Sequence, residues 1–353
     1  MNLKDGVKTA ENKVSTEARR LSDMVKDSNK SLVDRLECFE DIISLEVGDT
    51  GLHRAKTLER EFNVRQLYLK YEGDNPTGTQ KDRIAFAQLY DALRREFTVV
   101  SLATCGNYGV AMALASDLAG IACKIYIPES YHTDRIVEME ALNAEIIRIP
   151  GSYEDVVTES SKLAAEHGWY DANPGGANTP LQISAYAQIA QEIFEDLGDA
   201  PKYCAVPVSN GTLFAGIYRG FVNLYKRGKT SRIPKMIAAS SSHKNPIVES
   251  YLQGLDHCKD LNPAAIKETK YNEPLINWHS FDGEEALYAL QESEGEAFNI
   301  SDKKLKEMTS LLHKKEGFRI LPASTAGLIG LLELDEKMNF EPDRFVAVLT
   351  AKN

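Results

Sequence analysis

The sequence predicts an α/β protein made of two three-layer αβα domains with mostly parallel sheets. Three observations carry that expectation. Short apolar runs alternate with longer helical segments from about residue 66 onward, the order that strand–helix–strand units produce. The short runs, such as Phe97-Thr98-Val99-Val100-Ser101-Leu102, are near-continuously apolar, so both faces of their sheets are covered. At 353 residues the chain is long enough for about two domains.

Taken in order, residues 1–40 carry Lys, Asp, Ser and Glu with a loose helical spacing at Leu21, Met24, Val25, Leu32 and Leu36. They read as a polar N-terminal extension, either a surface helix or a mobile arm. The run from Gln66 to Tyr71 opens the alternation. Strands are expected over 67–71, 98–103, 123–128, 145–150, 203–208, 235–240 and 345–349. Helices are expected over 82–95, 110–118, 154–166, 180–197, 213–226, 283–292, 302–315 and 324–337. No internal repeat and no low-complexity linker interrupts them.

Composition narrows the function. Lys and Arg number 41 against 52 Asp and Glu, a net charge of −11, which disfavours nucleic acid or an anionic membrane as partner. No apolar run approaches membrane-spanning length, and the first forty residues lack the apolar core of a leader. The five cysteines (Cys38, Cys105, Cys123, Cys204, Cys258) are odd in number, scattered and without a CxxC, so neither a disulfide framework nor a zinc site is expected and a reducing cytoplasm fits. The seven histidines show no ligand spacing, and no metal is expected. Gly228-Lys229-Thr230 looks like the tail of a P-loop, but Asn223 stands where its first glycine belongs. No GxGxxG follows a strand, so a dinucleotide site is unsupported.

Three junctions carry the chemistry. Asn75-Pro76-Thr77-Gly78-Thr79-Gln80-Lys81-Asp82-Arg83 places one lysine where a strand gives way to a helix, a position where ligands are commonly held. A lysine there supplies a primary amine for a Schiff base, or is simply solvated in a first helical turn. Thr104-Cys105-Gly106-Asn107-Tyr108-Gly109 and Ser209-Asn210-Gly211-Thr212 each follow a strand and open a helix. Small-residue helix starts offer backbone N–H groups and the positive end of the helix dipole to anions. For Asn107 the plain alternative is a helix cap, and for the Ser209 loop it is a turn without a ligand. Cys105 at a helix start has the setting of a lowered pKa, though a nucleophilic role is not expected.

Lys81, the two anion-friendly loops and their order resemble the fold-type II family of pyridoxal phosphate (PLP) enzymes, most of all the threonine synthase-like group. The likeness runs from about 42 to 350 and is most specific over Lys70 to Arg83. Val47-Gly48-Asp49-Thr50-Gly51-Leu52-His53-Arg54 looks like the family's opening segment, with glycine at position 51 where proline is usual. Asn173-Pro174-Gly175-Gly176, Asn277-Trp278-His279-Ser280-Phe281-Asp282-Gly283 and Leu321-Pro322-Ala323-Ser324-Thr325-Ala326 add to it.

The resemblance implies PLP in an interdomain cleft, a large domain over 41–86 and 186–353, a smaller inserted domain over 87–185, and a homodimer. It implies that Lys81 holds PLP and abstracts the Cα proton, and that Asn107 contacts the phenolic oxygen of the ring. Thr104, Cys105, Gly106, Asn107 and Tyr108 line the substrate carboxylate, and Ser209, Asn210, Gly211 and Thr212 cradle the phosphate. Thr350, or alternatively Ser324, faces the ring nitrogen. The family's usual serine and arginine for a substrate phosphate fall on Asp171 and Gly176, and relatives continue past Ala351-Lys352-Asn353 with a glycine-rich segment. Both departures point to an altered small amino-acid substrate.

The leading expectation is therefore a lyase or side-chain replacement enzyme. The alternatives are threonine synthase itself, a cysteate- or cysteine-synthase-like replacement, an amino-acid dehydratase, or a catalytically silent PLP-binding regulatory subunit.

Overall fold

The computed structural model describes residues 13–104 and 106–353; Cys105 and the first twelve residues of the expected extension lie outside it. In chain order the strands are β1 (Leu52–Arg54), β2 (Leu67–Tyr71), β3 (Val99–Ala103), β4 (Ala122–Pro128), β5 (Glu145–Ile149), β6 (Tyr170–Asp171), β7 (Tyr203–Pro207), β8 (Lys235–Ser241), β9 (Glu296–Ile300) and β10 (Phe345–Leu349). The helices are α1 (Thr16–Lys26), α2 (Leu32–Glu46), α3 (Lys56–Phe62), α4 (Lys81–Arg94), α5 (Asn107–Ala119), α6 (Arg135–Ala141), α7 (Tyr153–His167), α8 (Thr179–Leu197), α9 (Thr212–Lys226), α10 (Pro246–Leu252), α11 (Gly283–Glu292), α12 (Asp302–Glu316) and α13 (Ala326–Met338).

Two compact units result. The first holds Gly48 and the described residues before it, together with Asn75–Gln182. Its sheet has the order β5-β4-β3-β6 and every pairing in it is parallel. Helix α7 packs on β3, β4 and β6, and α5 packs on β3 and β4. Helix α1 forms because Ser15 accepts the Ala18 N–H and because Ala18, Leu21, Ser22 and Val25 fall on one buried stripe. It packs against α2 and α5, with the Ser22 hydroxyl donating to Leu118 O and Arg19 pairing with Asp117. The described part of the expected extension is thus a pair of packed helices.

The second unit holds Asp49–Asp74 and Ile183–Asn353. Its sheet runs β1-β2-β10-β7-β8-β9, parallel except for β1, which pairs antiparallel with β2. Leu69, Ala205, Ile237, Ala239 and Ala347 share one face with Leu305 and Leu312 of α12 and Leu328 and Leu331 of α13. Their alternates Cys204, Val206, Met236, Ala238, Val346 and Val348 are equally buried, because α9, α10 and α11 pack against β7, β8 and β9. Covering both faces is what makes these strands continuous apolar runs. Lys70 is fully buried in β2, its ammonium donating to Glu192 Oε2 at 2.6 Å and to Thr50 O, while the Thr50 hydroxyl donates to Glu72 at 2.7 Å.

The division of the chain differs from the expected boundaries at 86/87 and 185/186. Residues 41–48 and 75–86 pack with the first unit. The reason is α4, whose Ile84, Phe86 and Leu89 are buried, with Phe86 stacked on Phe39 of α2 at 6.1 Å and the helix lying along α5. No change of composition marks that packing in the sequence.

Candidate active site

In the first unit, Lys81 is the first residue of α4, half-buried, with its Nζ 5.4 Å from the centroid of the Tyr108 ring. The turn before it is shaped locally. Gly78 adopts φ +83°, a left-handed conformation that glycine takes without strain, and its N–H donates to Asn75 O at 2.8 Å. Asp82, fully buried, accepts both the Thr77 N–H and the Thr77 hydroxyl at 2.9 Å. Burial pushes the Asp82 carboxyl up to about 7, against the opposing pull of the Thr77 bonds and the Lys13 charge.

The 104–109 loop leaves β3 where the Ala103 N–H donates to Asn173 Oδ1 at 2.7 Å. Gly106, not Asn107, is the N-cap of α5, and no side chain caps that helix. The cap reading of Asn107 therefore fails: its Oδ1 accepts from the Arg135 guanidinium instead. Tyr108 is buried, its hydroxyl donating to Ala172 O at 2.7 Å and accepting from Gln88 Nε2 at 2.6 Å, and burial holds that phenol well above its usual pKa. A Cβ on Gly109 would stand 2.8 Å from Thr104 Cγ2 and 2.6 Å from Met139 Cε, so glycine here lets α6 lie close against the start of α5.

Asp171 ends β6 beside this loop. Its Oδ1 accepts the Asn173 N–H at 3.0 Å and the Asn173 amide at 2.8 Å. A Cβ on Gly176 would lie 3.6 Å from Asp171 Oδ2, an ordinary contact, so a carboxylate oxygen faces the position where the resemblance implies an arginine.

In the second unit, the 209–212 loop joins β7 to α9. Gly211 is the N-cap at φ +101°, and no side chain caps the helix. A Cβ there would meet the backbone oxygen of Asp282 at 2.6 Å. The loop carbonyls are each bound from behind. Val208 O accepts the Ser240 hydroxyl at 2.7 Å, Ser209 O accepts Asn245 Nδ2 at 3.0 Å, and Asn210 O accepts the Asp282 N–H at 3.1 Å. A trans peptide sets its N–H opposite its C=O, so the N–H groups of Ser209, Asn210 and Gly211 turn away from that scaffold. Asn277 ties the brace together, accepting from Asn245 at 3.0 Å and donating to Ser280 Oγ at 2.7 Å. The Thr212 hydroxyl donates to the Asp282 carboxylate.

The hydroxyl oxygens of Ser324 and Thr350 are 2.8 Å apart, and Ser324, fully buried, accepts the Ala351 N–H at 3.0 Å. Thr350 follows β10, the parallel neighbour of β7, so it and the 209–212 loop sit at the same edge of one sheet, where α/β proteins place ligands.

Sequence reasoning missed Arg135, Gln88, Asn245 and Ser240, which act at long range. Only Asn245-Pro246, a capping residue followed by proline at the first helical position, carried a local signal. Among the described residues no cluster of His, Cys, Asp or Glu has the form of a metal site, and no helix is long and apolar enough to cross a membrane.

Comparison with known proteins places these features in context. The family model described as pyridoxal-phosphate dependent enzyme matches residues 43–351. The chain is 30% identical over 311 residues to a threonine synthase of Methanocaldococcus jannaschii, covering 88% of this chain and 75% of that one. It is 28% identical over 303 residues to a threonine synthase of Mycobacterium tuberculosis, covering 85% and 80%. Among solved structures, maize serine racemase matches with a TM-score of 0.74 at 18% identity, covering 91% of this chain and 94% of that one. A PLP-dependent aspartate racemase matches with a TM-score of 0.73 at 22% identity, covering 91% and 95%. At those identities the structural matches establish the fold. The residues present suit PLP: the 209–212 loop presents outward N–H donors at an uncapped helix start, as a phosphate requires, and Lys81 offers a primary amine.

Proposed function

We propose, from the premise that this chain belongs to the pyridoxal-phosphate dependent enzyme family, that it eliminates or replaces a group on the side chain of a small amino acid. The substrate side chain, in this reading, is neutral or cationic and not a phosphate ester. The chain is a PLP-dependent enzyme of the lyase type or a near relative of one. When bound, PLP supplies an electron sink for negative charge at the substrate Cα.

The protein's own groups do the rest. Lys81 supplies the amine that tethers the cofactor, then carries the Cα proton off and back. Asn107 donates its amide to the ring's phenolic oxygen, while Thr104 and the N–H groups at Gly106 and Tyr108 receive the substrate carboxylate. The N–H groups of the 209–212 loop hold the phosphate. Thr350, backed by Ser324, would offer the ring nitrogen a hydroxyl, which would not protonate it; such an environment suits side-chain elimination better than transamination.

One observation carries the substrate assignment. Asp171 Oδ2 faces the Gly176 position, where a phosphate-binding guanidinium is missing. A carboxylate repels a dianion, and losing one charged contact costs about 1.5–3 kcal/mol. Threonine synthase activity is the second reading, favoured by the 30% identity to the archaeal enzyme. Steady-state kinetics decides between them: O-phosphohomoserine is expected to be turned over poorly beside an uncharged β- or γ-substituted amino acid, and efficient threonine formation overturns the substrate assignment. Borohydride reduction with peptide mapping tests the amine, with the adduct expected on Lys81 and absent in Lys81→Ala; an adduct on another lysine removes Lys81 from its role.

The family resemblance supports a homodimer, which sedimentation checks. A reducing cytoplasm suits the buried free thiols Cys123 and Cys204, whose burial pushes their pKa up to about 12.

A further inference from the structure

The Asn107 amide has two nearly isosteric ends, and only one can donate to an anionic oxygen. In the first unit that choice is made by a chain of charges behind it. Arg135 donates to Asn107 Oδ1, its guanidinium also donates to Glu138 Oε1 at 3.1 Å, and Glu138 Oε2 in turn pairs with Lys13 at 2.9 Å. A guanidinium has donors and no acceptor, so it fixes the oxygen end of the amide toward itself and turns the –NH2 end away.

We propose that Arg135, held by Glu138 and Lys13, is the positioning residue that sets which end of the Asn107 amide is offered to the cofactor. This rests on the reading of Asn107 as a cofactor contact.

The surroundings are built for the task. Arg135 begins α6 with its N–H bonded to Thr133 Oγ1 at 3.2 Å, and the close approach of Met139 to Gly109 locks α6 beside the start of α5. Glu138 and Lys13 have side chains only 12% and 10% exposed, and Arg135 is 29% exposed, so salt screens the series in part, less than it screens a surface pair. Burial favours the neutral Glu138 acid, but the Lys13 hydrogen bond and the Lys13 and Arg135 charges outweigh it and hold the carboxyl below its ordinary pKa. It stays ionised at neutral pH. Lys13 directly precedes the α1–α2 pair, so the N-terminal helices, which pack on α5, deliver the last charge of the series. Without Arg135 the amide turns freely, and its carbonyl end would meet the phenolic oxygen acceptor to acceptor.

The test is a double-mutant cycle read by PLP titration of the apo-protein, with thermal melting to monitor folding. Asn107→Ala and Arg135→Met are each expected to weaken PLP binding by about threefold to tenfold, the worth of one hydrogen bond. Arg135→Met on the Asn107→Ala background is expected to add nothing. Arg135→Lys, which keeps a cationic donor, restores most of the affinity, and Glu138→Gln and Lys13→Met each weaken it by about twofold. Additive losses in the double variant, or weakened binding in Asn107→Ala with full affinity in Arg135→Met, overturn the positioning role alone. Unchanged affinity in Asn107→Ala overturns the reading of Asn107, and the inference with it.

Discussion

Helices α5 and α9 start alike and are held differently. Each follows a parallel strand, each has glycine as N-cap, and neither is capped by a side chain. The backbone before α9 is braced by neutral amides and hydroxyls, Ser240, Asn245, Asn277 and Ser280, bonded to its carbonyls or to one another, while one carboxylate, Asp282, takes the Thr212 hydroxyl at the helix start. The region around α5 is held by ionisable groups: Asp82 behind the Lys81 turn, and Lys13, Glu138 and Arg135 behind Asn107. A brace on the backbone fixes where N–H groups point, which serves an anion that stays put. A charged support acts on a side chain and responds to pH and salt.

The harshest way to break the contrast is Gly211→Val. A side chain would collide with the Asp282 carbonyl at a left-handed φ of +101°, costing about 2–6 kcal/mol in strain and overpacking and lowering PLP affinity by about a hundredfold. Unchanged affinity on titration would remove this loop as the phosphate cradle.

The next effect belongs to the other region. Burial pushes the Asp82 carboxyl up to about 7 from its ordinary 3.8, so the native state binds its proton more tightly than the unfolded chain does. The stability this group contributes is full below about pH 4 and is lost as pH rises through about 7. The gap corresponds to about 4 kcal/mol. Urea unfolding across that window is expected to show wild-type stability falling relative to Asp82→Asn; a parallel pH dependence in the two proteins would refute it.

Asn277→Ala cuts the brace behind Ser209 and Asn210, and is expected to weaken PLP binding by about tenfold with no dependence on salt. A loss that grows or shrinks with ionic strength would mean that charges support this loop too.

The smallest effect sharpens the comparison. Raising NaCl from about 0.1 M to 1 M shortens the screening length from about 10 Å to 3 Å. The gap in PLP affinity between wild type and Arg135→Met is expected to narrow by about twofold, while the gap to Asn277→Ala holds. Equal narrowing of both would erase the distinction.

By itself the sequence determined the alternation of strands and helices, the family, and the lysine at the strand-to-helix junction. Apolar runs such as Phe345–Leu349, and helix Gly283–Glu292, are patterned within a few residues of chain, and local pattern is what a sequence displays. The turn around Lys81 is equally local, since Gly78 and Asp82 act within five residues of Thr77. Short elements escaped: β1, β6, α3, α6 and α10 have two to seven residues, too few for a period to register. Strand β9 escaped as well, its apolar residues mixed with Glu296 and Asn299.

Only the tertiary structure decided which unit α4 joins, that Ser324 and Thr350 share one hydrogen bond, that Asp82 is buried, and that Arg135 rather than a capping role claims Asn107. Most of these rest on contacts between residues 26 to 47 positions apart in the chain, or on burial beneath other elements. No window of sequence contains both partners, so the fold alone brings them together.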